Sequence, residues 1–216
     1  MQTISLDIQP QHRFTCMAAN ESRFLHRPEH IVDELNLQAA LSDRRLLIKN
    51  TGLAADTFCH IRIKADARPK HTPHPNCGLP GSCANGCRGK ELFDGLPQPA
   101  DYDHEIEING DFRHGVCFHD TKETYSTGLM EWLHANRADT VILGGLATEE
   151  TIFQTAKQLR WYNADLHIIV NISACCGYAP ESTIKTIAKM KNLGITTVPH
   201  AIEIAALLNS RLQKVS

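Results

Sequence analysis

The stretch VILGGLATEETIFQTA, Val141 to Ala156, decides how the rest of the chain is read. It opens as a short apolar run, passes through a Gly-Gly pair and continues with helical spacing. That pattern predicts a buried strand, a tight turn and the N-terminus of a helix. Thr148 is the candidate N-cap, with Glu150 and Thr151 in the first turn. A helix N-terminus set just past a strand end aims backbone N–H groups outward and favours developing negative charge. Thr151 stands where such a turn would present a nucleophile.

The same alternation of strand and helix extends in both directions. TISLDI (3–8) predicts a first strand. HIVDELNLQAALSDRRLLIKN (30–50) has helical spacing on Ile31, Leu35, Leu37, Leu41 and Leu46, and TFCHIRIKA (57–65) alternates as a second strand. Residues 66–99 read as loop, rich in Pro, Gly, Cys and His. HEIEIN (104–109) is a short strand and TGLMEWLHANR (127–137) an amphipathic helix. DTVILGG (139–145) is a strand, TEETIFQTAKQLRWYN (148–163) a helix and DLHIIVNIS (165–173) another buried strand. PESTIKTIAKMKNLG (180–194) is a helix with Pro at its start and Gly at its end. ITTVPH (195–200) is an edge strand, and AIEIAALLNSRLQK (201–214) a last helix.

Central strands that are apolar throughout belong to a parallel sheet buried on both faces. The expected fold is therefore α/β, a three-layer α/β/α arrangement around a mostly parallel sheet. With no repeat and no linker, residues 1–216 are expected to form a single domain. Ligands of such sheets sit beyond the carboxyl ends of the strands, at the topological switch point. Asp7, Asp66, Asn109 and the Gly144–Thr151 turn all lie at or just past predicted strand ends.

Composition narrows the function classes. The chain is 42% hydrophobic and 21% charged, with a net charge of −2. That gives no basis for nucleic acid or an anionic membrane surface as partner. No apolar run approaches the roughly 20 residues of a spanning helix, and the first residues, MQTISLDIQP, lack the features of a signal peptide. A cytoplasmic location is the expectation. The eight cysteines are then read as free, buried or metal-bound, not as disulfides.

Three stretches resemble one family and together span nearly the whole chain. LDIQPQHRF resembles an opening strand with its acid, Asp7, followed by Gln9 and the aromatic Phe14. GGLATEETIFQTA resembles a Gly-Val/Leu-Ala-Thr-x-x-Cys turn and helix. VNISACCGYAPESTIKTIAKMKNLGITTV resembles the late strand, helix and strand. The family is the isochorismatase-like cysteine hydrolases, which include nicotinamidases and N-carbamoylsarcosine amidases. The resemblance implies the isochorismatase-like fold, a small-molecule substrate bound near Gln9 and Phe14, and a homo-oligomer, dimer or tetramer. It also implies an Asp base, a charge-stabilising Lys, a nucleophilic Cys, and an oxyanion hole beside a non-proline cis peptide. By position the Asp is Asp7 and the cis peptide joins Leu146 to Ala147. The Lys position falls on Asn109 and the Cys position on Thr151, so two of three catalytic positions depart from the pattern.

A hydroxyl such as that of Thr151 needs an adjacent base before it can attack. Asp7 would be that base if burial raised its pKa; a neutral network of Asp7, Asn109 and Thr151 is the alternative. The expected activity is hydrolysis of a small amide or related C–N bond. Two other readings stay open: an inactive homologue that binds a small molecule or partner in the old pocket, and a Cys-independent hydrolase of the vinyl-ether type.

The loop carries a separate expectation. In nicotinamidases a metal is held here through an Asp-x-His and a later His. Asp66 matches, but Arg68 and Gly86 stand at the two His positions. Cys77, Cys83, Cys87 and one of His71 or His74 would suit tetrahedral zinc. The alternatives are a Pro/Gly loop with incidental thiols, or Arg68, Lys70 and Arg88 facing an anionic substrate. Cys117 is a candidate displaced nucleophile, Cys175 and Cys176 buried structural thiols, and Trp132 a pocket wall, an interface residue or core.

Overall fold

The computed structural model describes residues 2–12, 28–51, 90–109 and 114–215. The elements run β1 (Gln2–Ile8), α1 (Val32–Ala40), β2 (Arg44–Asn50), β3 (His104–Ile108), α2 (Leu129–Ala135) and β4 (Ala138–Leu146). After a π-helical turn (Thr148–Ile152) come α3 (Phe153–Tyr162), β5 (His167–Cys176), α4 (Pro180–Asn192), β6 (Thr196–Val198) and α5 (Ala201–Val215). The six strands form one sheet in the order β3-β2-β1-β4-β5-β6, and every pairing is parallel.

Burial follows from this topology. Ile4, Leu6 and Ile8 of β1 face α2, α3 and α4, joined by Leu129, Leu159 and Met190. The other face meets α1 and α5. Leu35 packs near Leu146 and Ala174, and Ile204 packs on Ile142 and Ile169. The three-layer α/β/α expectation holds, with a sheet that is wholly parallel.

One element is corrected. Residues 30–50 do not form a single helix: α1 ends at Ala40, and Arg44–Asn50 is β2. The Ser42 hydroxyl donates to Ala39 O (2.8 Å), and Asp43 accepts from the Thr3 N–H (2.7 Å), turning the chain into the sheet. Leu46, Leu47 and Ile48 are all fully buried, as a central parallel strand requires. A run of three aliphatics fits a helix or such a strand equally, which is why spacing misassigned it. Leu37, expected on the buried helical face, is 54% exposed. The strand expected at 57–65 lies outside the described residues. A smaller correction concerns Thr148, which is no side-chain N-cap. The helix opens after Ala147 with a π-helical turn and no side-chain capping bond.

Among the described residues no helix is long and apolar enough to cross a membrane.

Candidate active site

The chain runs β1, β2, β3 toward one edge and then returns across β1 to place β4 on its other side. The switch point therefore lies between β1 and β4, where Asp7 pairs with Gly144 and Ile8 with Gly145. These are the two segments singled out in the sequence, now adjacent. The close approach depends on Gly145, which has φ +129°. A Cβ there would stand 1.9 Å from the Ile8 carbonyl oxygen. Gly144 is equally confined: a Cβ would lie 2.5 Å from Leu35 Cδ2 and 3.0 Å from Gln38 Nε2. The peptide from Leu146 to Ala147 is cis, at the place expected.

Two ties hold the turn beyond it. Glu149 accepts from the Tyr178 N–H (3.0 Å to Oε2), the Ser182 hydroxyl (2.8 Å) and the Thr183 hydroxyl (2.7 Å), binding the turn to the N-terminus of α4. Tyr178 Oη donates to Glu150 at 2.9 Å. Thr151 is buried at 1% exposure, and its carbonyl accepts from the Thr155 hydroxyl at 2.6 Å.

Asp7 is fully buried and makes an ion pair that sequence reading missed. Arg45 Nε donates to Asp7 Oδ2 at 2.9 Å, and Nη2 lies 2.6 Å from the same oxygen. Tyr102 Oη also donates to Oδ2, at 2.9 Å. Burial raises the pKa of Asp7; the Arg45 charge and the hydrogen bonds from Arg45 and Tyr102 pull it part of the way back. Burial, reinforced by the Asp7 charge, pushes the Tyr102 phenol far above its ordinary value, so it remains a donor. No sequence signal marked this pair. Arg45 lay in the stretch read as helix, and Tyr102 between elements.

The network imagined among Asp7, Asn109 and Thr151 is therefore corrected. The hydrogen bonds of Asp7 go to Arg45 and Tyr102, and Asn109 is exposed just past β3, two strands from β1. Gln9 sits fully buried at the end of β1 with φ 54°, and its carboxamide has no hydrogen-bond partner among the described residues. Phe14 lies outside the described residues, as do Asp66, His71, His74, Cys77, Cys83, Cys87 and the basic residues of that loop. Among the described residues no group of three or more His, Cys, Asp or Glu is placed to hold a metal ion.

The described thiols are placed as follows. Cys117 is buried in the core on the opposite face from Asp7, where burial and nearby Glu123 and Glu131 push its pKa far up. That overturns it as a displaced nucleophile. Cys175 faces the same core, and burial raises it to about 12. Cys176, beside Leu146, faces the α1 side and is raised to about 11 by burial and by Glu149 and Glu29. Both end β5 as buried thiols. Trp132 is partly buried against the core and stacks on His104, 5.1 Å between ring centroids.

At the switch point of the parallel α/β sheet, then, stand a Gly-Gly-Leu-Ala turn and a buried carboxylate. The isochorismatase domain model matches residues 31–201, and the chain belongs to the isochorismatase family. Solved structures share the fold at low identity. The Acinetobacter baumanii nicotinamidase/pyrazinamidase aligns with TM-score 0.67 and 18% identity, covering 94% of this chain and 98% of that one. PnC1 from L. infantum, in complex with nicotinate, aligns with TM-score 0.64 and 16% identity over 91% and 92%. The pyrazinamidase of Pyrococcus horikoshii, in complex with zinc, aligns with TM-score 0.61 and 15% identity over 92% and 99%. Against curated protein sequences the chain has no significant match.

Proposed function

We propose that the protein hydrolyses a small amide or related C–N bond at the carboxyl end of β1 and β4, with Asp7 as the acid/base group. The observation that carries this is the pairing of the buried Asp7 with Gly144, one step from the turn that begins at Gly145 and leads into α3. The nicotinamidase and pyrazinamidase relatives of the fold support a small carboxamide as substrate class. The altered Cys position argues for water in place of a covalent intermediate. Thr151 has no hydrogen bond from its side chain to Asp7, whose partners are Arg45 and Tyr102. A hydroxyl is in any case a weaker nucleophile near neutral pH than the partly ionised thiol it stands in for. In the proposed cycle Asp7 takes a proton from water as the water oxygen attacks the carbonyl carbon. Backbone N–H groups of the turn stabilise the oxyanion. Asp7 then returns the proton to nitrogen as the C–N bond breaks, giving a carboxylic acid and ammonia or an amine.

One observation favours a second reading. A buried carboxyl with a raised pKa also suits proton donation, the step that Cys-independent vinyl-ether hydrolysis needs. The two readings predict opposite limbs in the pH profile. A base must be ionised, so amide hydrolysis rises with pH through the Asp7 titration; an acid must be protonated, so vinyl-ether hydrolysis falls through it. The test is ammonia release from a panel of small carboxamides that includes nicotinamide, with a vinyl ether alongside. Wild type is compared with Asp7→Asn and Thr151→Cys. Turnover of an amide by wild type, lost in Asp7→Asn, is the expected result. Silence on amides with turnover of the vinyl ether selects the second reading. Silence on both, with a carboxamide still bound, identifies an inactive binding homologue.

A further inference from the structure

The carboxylate of Asp7 is held unevenly. Oδ2 accepts hydrogen bonds from Arg45 Nε and Tyr102 Oη, both at 2.9 Å, with Arg45 Nη2 in ion-pair contact at 2.6 Å, whereas Oδ1 is buried and accepts no hydrogen bond from the described residues. Because both guanidinium nitrogens approach one oxygen, this is not the two-oxygen fork that arginine commonly makes with a carboxylate. The three contacts are braced in turn. The Arg45 guanidinium lies over the Tyr102 ring, 5.0 Å from its centroid. Its Nη1 donates to Asn36 Oδ1 at 3.0 Å, and Asn36 Nδ2 donates to the Gly95 carbonyl at 3.0 Å.

We infer that Arg45 and Tyr102 are the positioning residues of Asp7, fixing it through Oδ2 so that Oδ1 is the atom that takes up and releases the proton. This rests on the reading of Asp7 as the acid/base group. A proton added to Oδ2 would have to displace a donor already there, while no donor among the described residues occupies the lone pairs of Oδ1. Register supplies the direction. Arg45 lies opposite Ser5, two residues upstream of Asp7, so the cation comes from the N-terminal side of the strand, away from the Leu146–Ala147 turn. On the β4 side Asp7 meets Gly144, which has no side chain, and the strip beside it is bordered by the buried amide of Gln38, which has no hydrogen-bond partner among the described residues. Among the described residues the titratable groups acting on the carboxylate are Arg45 and Tyr102 alone; β2 and β4 flank it with Leu47 and Gly144, and α1 brings Asn36 and Gln38.

Infrared difference spectra test the assignment of the two oxygens without any substrate. At low pH, wild type minus Asp7→Asn isolates the C=O stretch of protonated Asp7. With the proton on Oδ1 the carbonyl oxygen is Oδ2, hydrogen-bonded to Tyr102 and Arg45. Tyr102→Phe removes only a hydroxyl and is expected to move the band to higher wavenumber; Arg45→Lys is expected to move it as well. A band unmoved in the folded variants, with folding checked by circular dichroism, would overturn the proposal. If Arg45→Lys does not fold, Tyr102→Phe decides alone. The kinetic counterpart is the pH profile of the amide activity. Its ascending limb should move up by about one pH unit in Tyr102→Phe, the range expected for losing a hydrogen bond to the charged form. A plateau that falls while the limb stays in place would mean that Tyr102 only supports the fold, and would count against the proposal. A shifted infrared band in a protein that hydrolyses nothing would refute the catalytic reading of Asp7 and leave the clamp on Oδ2 standing.

Discussion

At the scale of the residue, the site is set by two glycines and one ion pair. Gly145 lets β4 approach β1 in a conformation that is nearly exclusive to glycine. Gly145→Ala would carry about 1–3 kcal/mol of backbone strain before the overlap with the Ile8 carbonyl is counted. The expected outcome is a clear drop in thermal midpoint or loss of soluble protein. An unchanged melting curve would show that β1 and β4 can part at this point without cost. The Gly-Gly pair was legible in the sequence, and so was Asp7 as a strand-end acid. Arg45 was not. A buried carboxylate calls for a cation, but which of 22 basic residues supplies it depends on strand register.

At the scale of the element, α1, β5 and α5 are tied by one acid. Glu34 of α1 accepts from Asn171 Nδ2 of β5 (3.1 Å) and from the Ala201 N–H at the start of α5 (2.8 Å), with His200 Nδ1 at 3.3 Å from its other oxygen. Burial alone would raise its pKa, but the Ala201 N–H, the Asn171 amide and His200 outweigh it and hold Glu34 below the ordinary value of 4.5. A carboxylate with a depressed folded-state pKa contributes stability above its unfolded pKa, lost as pH falls through the folded value. The acid limb of stability below about pH 4.5 should therefore flatten in Glu34→Gln, with stability near neutrality reduced. Denaturant unfolding at a series of pH values checks this; parallel curves for the two proteins would rule the tie out. The misassigned helix belongs to the same scale. LLIKN carries no periodicity of its own, and its state was chosen by pairing with β1, not by local propensity.

At the scale of the whole molecule, the strand order puts β1 and β4 in the middle of the sheet and β3 and β6 at its edges. Hydrogen exchange should follow that order. Amides of Ile4–Leu6 and Val141–Leu143 should exchange slowest, and those of the three-residue β6 and of β3 well before them. Equal protection across the sheet would contradict a core centred on β1 and β4. The sequence by itself determined the layered α/β class and the strand–turn–helix at Val141–Ala156. It also marked the acid at the end of β1, because apolar runs, glycine pairs and strand-end polar residues act through local chemistry. Only the tertiary structure decided that residues 44–50 form a strand, that Asp7 meets Gly144, and that Arg45 and Tyr102 close on one oxygen of its carboxylate. Those facts depend on register and crossover between segments up to 137 residues apart, which no local pattern of side chains encodes.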